Sequence, residues 1–141
     1  MRLLCLCLLA CGCFTEPEPP LLLPEQALEL WDGEVGRCSF DLDDIELTYV
    51  RTARQIVGAC GLDPSIEWTG CYWGPNEGVD YRPPRIWYRT TTALPHELAH
   101  WLMDCSGEAE RLGMVELGHG HPLFEETINT LKEEQDALGT Q

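Results

Sequence analysis

The chain has 141 residues and carries 24 acidic against nine basic side chains, a formal net charge of −15. So strong an acidic excess repels phosphate backbones and anionic lipid surfaces, which excludes nucleic acid as a partner and a basic membrane-docking face. A chain of this length can bury one small core, so one domain is expected.

The N-terminus reads Met1-Arg2-Leu3-Leu4-Cys5-Leu6-Cys7-Leu8-Leu9-Ala10-Cys11-Gly12. One basic residue, an apolar run and a small residue before cysteine outline a secretory signal, and the run is far too short to span a bilayer. Leu8-Leu9-Ala10-Cys11 resembles the bacterial lipobox. That resemblance implies a signal over residues 1–10 and lipidation of Cys11. The chain would then be exported to the bacterial cell envelope and touch the membrane only through its lipid anchor. Cys13 matches the same role less well. Residues 11–25 contain Thr15-Glu16-Pro17-Glu18-Pro19-Pro20, and Pro and Glu favour an extended, solvated tether. The folded domain is expected over residues 26–141, as a monomer.

Beyond the signal and Cys11, the cysteines are Cys13, Cys38, Cys60, Cys71 and Cys105. In an exported chain these read as disulfide partners. Cys13, in the tether, is the odd one out, and the other four allow three connectivities. They contain no Cys-x-x-Cys pair, which argues against a zinc–thiolate site.

Along the domain, residues 41–61 read as a helix. Asp41, Asp43 and Asp44 crowd its positive end, Ile45, Val50, Ala53, Ile56, Val57 and Cys60 form an apolar stripe, and Gly61 ends it. Residues 66–72 suggest a strand, 74–78 a loop, and the alternating residues 85–90 a second strand. Trp68, Tyr72, Trp73, Tyr81, Trp87 and Tyr88 serve mainly as packing. Arg82, Arg85 and Arg89 are expected in salt bridges with the many acids rather than on a substrate carboxylate.

His96-Glu97-Leu98-Ala99-His100 then reads H-E-x-x-H. On a helix, residues four apart share a face, so both imidazoles can reach one Zn²⁺ ion, and Glu97 stands beside them as a base. Thr91 and Thr92 offer N-cap hydroxyls and Pro95 suits the first turn. Leu94, Leu98, Leu102 and Cys105 recur on an apolar face distinct from the histidines, and Ser106-Gly107 stops the helix. A last helix is expected from Pro122 to Ala137. The overall class is α+β: an N-terminal helix, a small sheet, an active-site helix and a C-terminal helix.

All four histidines fall in two short segments, and His119 follows His100 with eighteen residues between them. His119 is the preferred third metal ligand. Gly118 and Gly120 flank it and relax its backbone, whereas Pro122 pushes His121 toward extended geometry at the start of the last helix. Glu116, Glu125 and Glu126 are the competing ligands.

The H-E-x-x-H helix followed by the Gly-His-Gly-His-Pro-Leu-Phe turn resembles the zincin metallopeptidases over about a third of the chain. Spartan-type proteases and small bacterial lipoproteins with such a helix have comparable turns. The resemblance implies zinc bound by His96 and His100, with Glu97 as general base for hydrolysis of a peptide or protein substrate. It also implies an edge strand beside the active helix that accepts substrate, for which residues 85–90 are the candidate, with an ordinary core strand as the equal alternative. Tyr81, Tyr88 or His121 could donate a hydrogen bond to the oxyanion. Trp101, Leu102 and Met103 follow His100, so the extended metzincin motif is absent. The alternative function is a non-catalytic exported zinc-binding domain.

Overall fold

The computed structural model describes residues 20–31, 45–74 and 82–140. The signal, Cys11, Cys13, Cys38, the aspartates at 41, 43 and 44, and Tyr81 lie outside the described residues. The elements are α1 (Pro24–Glu29), β1 (Glu46–Tyr49), α2 (Ala53–Cys60), β2 (Gly70–Trp73), β3 (Arg85–Tyr88), α3 (Leu94–Cys105), α4 (Glu108–Arg111), a 3-10 turn (Val115–Gly118) and α5 (Pro122–Gly139). The fold is α+β, with one three-stranded mixed sheet in the order β1-β3-β2.

The helix expected over 41–61 is replaced in its described part by a strand and a shorter helix. Thr52 is the reason. Its hydroxyl accepts from Gln55 N at 3.4 Å, while Gln55 Oε1 accepts from Thr52 N at 3.0 Å. This reciprocal cap starts α2 at Ala53 and sends the preceding residues into extended geometry. Glu46 to Tyr49 then pair in parallel with Arg85 to Tyr88, and Glu46 bridges Arg85 at 2.7 Å. The end of α2 is as expected, at Gly61 in the left-handed conformation.

Two further boundaries move. The strand expected over 66–72 begins only at Gly70. Asp63 Oδ1 accepts from Ser65 N at 2.8 Å, and the Trp68 indole donates to Asp63 O at 2.9 Å, which holds 63–68 as a turn. Of residues 85–90, read as either a substrate-accepting edge or an ordinary core strand, Arg85–Tyr88 form the central strand. β3 pairs with β1 on one side and antiparallel with β2 on the other, so its backbone is not free for a substrate. Of the two outer strands, β2 is the one whose Gly70 abuts Glu97 of α3.

α3 forms the centre of the core. Leu94, Leu98 and Leu102 are fully buried and Cys105 nearly so, packed with Ile86 and Tyr88 of the sheet and Phe124, Ile128 and Leu131 of α5. Thr91 and Thr92 do not cap α3. Ala93 precedes it in helical conformation, and the Thr92 hydroxyl pairs with that of Thr90 at 3.0 Å. Packing also begins earlier than residue 26. Leu22 is buried, its N–H donates to Gln135 Oε1 at 2.9 Å, and Gln135 Nε2 donates to Pro20 O at 2.9 Å. The C-terminal part of the segment assigned to the tether is thus docked on α5.

Cys60 and Cys71 are joined, with their Cα atoms 6.8 Å apart and a sequence separation of 11. The bond ties the end of α2 to β2. Closing a loop of that length should stabilise the fold by about 2–3 kcal/mol. A Cys60→Ser/Cys71→Ser protein is expected to lose that much in chemical denaturation. A midpoint unchanged from wild type would show that the bond contributes nothing.

Candidate metal centre

Two elements converge on one point. α3 carries His96 and His100 one turn apart, and the turn before α5 carries His119. His96 Nε2 lies 3.2 Å from both His119 Nε2 and His100 Nε2. Ligand atoms of the three residues all fall within 4.8 Å of one another. Two nitrogens about 2.0–2.1 Å from a tetrahedral zinc sit roughly 3.3 Å apart, so the observed separation suits that ion. The three imidazoles could hold a metal.

The surroundings favour a neutral His96 ring. Burial holds the His96 pKa below its ordinary value, with His119 and then Lys132 acting in the same direction and Glu125 opposing. A neutral ring is the form that binds a metal. Phe124 makes the floor, its ring centroid 4.6 Å from that of His100 and 5.5 Å from those of His96 and His119. Gly118 fits only as glycine. Its φ is +124°, and a Cβ there would meet Phe124 Cδ2 at 2.6 Å. The backbone at Gly118 thus makes its close approach to the aromatic floor.

Glu116 is not a ligand of this cluster. Its Oε2 lies 3.2 Å from His119 Nδ1, the nitrogen facing away from the other histidines. A carboxylate there fixes the proton on Nδ1 and leaves the Nε2 lone pair for a metal. Glu116 also has φ +50°, the sole positive value for a non-glycine among the described residues. That conformation costs on the order of 1–3 kcal/mol and recurs where function demands it. Glu116→Ala is expected to weaken zinc binding roughly 10–100-fold, as loss of an orienting carboxylate does. An unchanged affinity in chelator competition would remove Glu116 from the site. Neither Glu125 nor Glu126, both exposed on α5, joins the cluster.

Glu97 is buried, and that burial pushes its pKa up to about 8. Its carboxylate rests against β2 where a side chain would otherwise stand: a Cβ on Gly70 would meet Glu97 Oε1 at 2.6 Å. The histidines, Glu97 and β2 line a cleft of about 670 Å³.

The other residues anticipated for the site lie elsewhere. His121 caps α5, its Nδ1 accepting from Leu123 N at 3.2 Å. Tyr88 is buried in the core beside Tyr49, with ring centroids 5.8 Å apart. Arg85 and Arg89 pair with Glu46 and Glu67, as expected. A pair not anticipated is Tyr72 with Asp104. The phenol, on the cleft side of β2, donates to Asp104 Oδ2 at 2.7 Å and ties β2 to α3. Burial first and then Asp104 raise the phenol's pKa, so it remains a donor. The spacing of Asp104 four residues after His100 was a signal for its place on the same side of α3.

Comparison of the chain with family models, with curated proteins and with solved structures gives no match.

Proposed function

We propose that the chain is a zinc-dependent metallopeptidase of minimal zincin type, exported to the cell envelope and anchored by lipid at Cys11. One observation carries the proposal: His96 Nε2 lies 3.2 Å from Nε2 of both His100 and His119, with ligand atoms of all three within 4.8 Å, in a cleft that also holds the Glu97 carboxylate. His96, His100 and His119 would hold the ion, and three protein ligands leave a position open for substrate. Zinc bound there would supply Lewis acidity, polarising the scissile carbonyl and bringing the ionisation of water near neutral pH.

The chain's own residues supply the rest. Glu97, with its basicity raised by burial, accepts the proton of the attacking water and passes it to the leaving amine. Gly70 leaves the room that the carboxylate occupies. β2, paired on one side only among the described residues, can take an extended peptide as an added strand along the cleft. The Cys60–Cys71 bond supports an oxidising compartment, as expected after export.

A non-catalytic zinc-binding domain is the second reading. It is favoured by one observation: Tyr88 and His121, the anticipated oxyanion donors within the described residues, are engaged in the core and in a helix cap. Zinc content and proteolysis separate the two. Purified protein is expected to carry about one zinc per chain. It should cleave members of a broad peptide library, followed by mass spectrometry, and a chelator should stop it. Zinc without cleavage moves the second reading ahead, and absence of zinc overturns both.

A further inference from the structure

Deepening the peptidase proposal and resting on it, we infer that Lys132 is an anion subsite of the cleft and selects substrates that carry a carboxylate near the metal centre. Lys132 is the only lysine in a chain with nine basic residues. It stands on α5 and lines the same cleft as the three histidines and Glu97. The rest of α5 is acidic, with Glu125, Glu126, Glu133, Glu134 and Asp136. Lys132 is exposed, and among the described residues no carboxylate pairs with it.

Besides Glu97, the two other carboxylates of the cleft are engaged. Glu67 pairs with Arg89 at 3.2 Å, and Glu116 with His119 at 3.2 Å. A substrate lying against the histidines therefore meets one ammonium that nothing neutralises. An ammonium on a flexible stem reaches a carboxylate over a range of positions and holds it by a charge-assisted hydrogen bond. The field of a chain with net charge −15 repels acidic substrates at a distance. A local cation is what allows such a substrate to stay. Two sources of the carboxylate fit this chemistry, a free C-terminus and an Asp or Glu side chain.

Zinc-loaded protein can be titrated calorimetrically with three peptide hydroxamates, which anchor to the metal without being cleaved. One ends in a free C-terminal carboxylate, one in an amide, and one in an amide with an Asp side chain. At least one acid is expected to bind roughly two- to fivefold more tightly than the neutral amide, the range of an exposed ion pair. Which acid does so identifies the source. K132M should remove the advantage and K132E reverse it, while the neutral amide binds all three proteins alike. Because Lys132 is exposed, both variants should fold, and circular dichroism checks this. Equal binding of all three ligands by wild type, or an advantage that K132M retains, overturns the Lys132 subsite alone. Failure of wild type to bind zinc overturns the proposed function beneath it.

Discussion

Alanine at His96 or at His100 is expected to abolish stable zinc binding, with His119→Ala close behind and His121→Ala far behind all three. Each of the first three contributes one Nε2 to a cluster whose ligand atoms lie within 4.8 Å. A three-ligand site reduced to two on a solvated cleft has little hold on the ion. His121 spends its Nδ1 on the N–H of Leu123, so its loss falls on the start of α5 and should cost about 1 kcal/mol of stability, as for other caps. Competition with a chromophoric chelator measures the affinities, and circular dichroism separates metal loss from unfolding. The loss at His119 should exceed that at His121 by at least about tenfold. A larger loss at His121 would reassign the third position. Full zinc occupancy in a His96→Ala/His100→Ala protein would eliminate the site.

Glu97→Gln should retain zinc and lose peptidase activity, by about 10²–10⁴-fold if the carboxylate is the general base. The amide keeps the shape against Gly70 but cannot take a proton. A second readout needs no substrate. In the metal-free protein, burial raises the Glu97 carboxyl from an ordinary 4.5 to about 8. Between those values the folded chain keeps a proton that the unfolded chain releases. The contribution to stability is therefore full at low pH and is lost as pH rises through that window. Glutamine does not titrate, so the metal-free variant should lack this decline and exceed wild type above the upper value. Thermal melts in chelator at about pH 5 and about pH 9 test the sign. Parallel curves for the two proteins would refute the buried proton, and full activity in Glu97→Gln would refute the base.

Helix α3 was legible because its signals are local. His96 and His100 are four apart, Leu94, Leu98 and Leu102 mark the opposite face, and Ser106-Gly107 ends it at Cys105. β1 was not legible from the apolar stripe, since Ile45, Val50 and Ala53 satisfy a helical period as well as they satisfy a strand followed by a helix. The decisive residues were Thr52 and Gln55, whose cap spacing is visible in the chain and divides the segment. Missing β1 also misplaced the sheet edge. Residues 85–88 become central only once a partner exists on their far side.

By itself the sequence determined the chemistry available: two imidazoles and a carboxylate on one helical face, a third histidine between glycines, and an acidic chain with one lysine. These follow from helical periodicity and from composition, which act over a few residues. Tertiary structure alone decided how that chemistry is arranged. It brought His119 Nε2 within 3.2 Å of His96 Nε2, turned Glu116 from a possible ligand into the partner of His119 Nδ1, and pressed Glu97 against Gly70. It also aimed Lys132 into the cleft. Each of these contacts except that of Glu116 joins residues far apart in the chain. The Glu116 contact requires a left-handed backbone that its residue type does not favour. Such placements depend on how α3, α5 and the sheet pack around a shared core, and no local pattern encodes that packing.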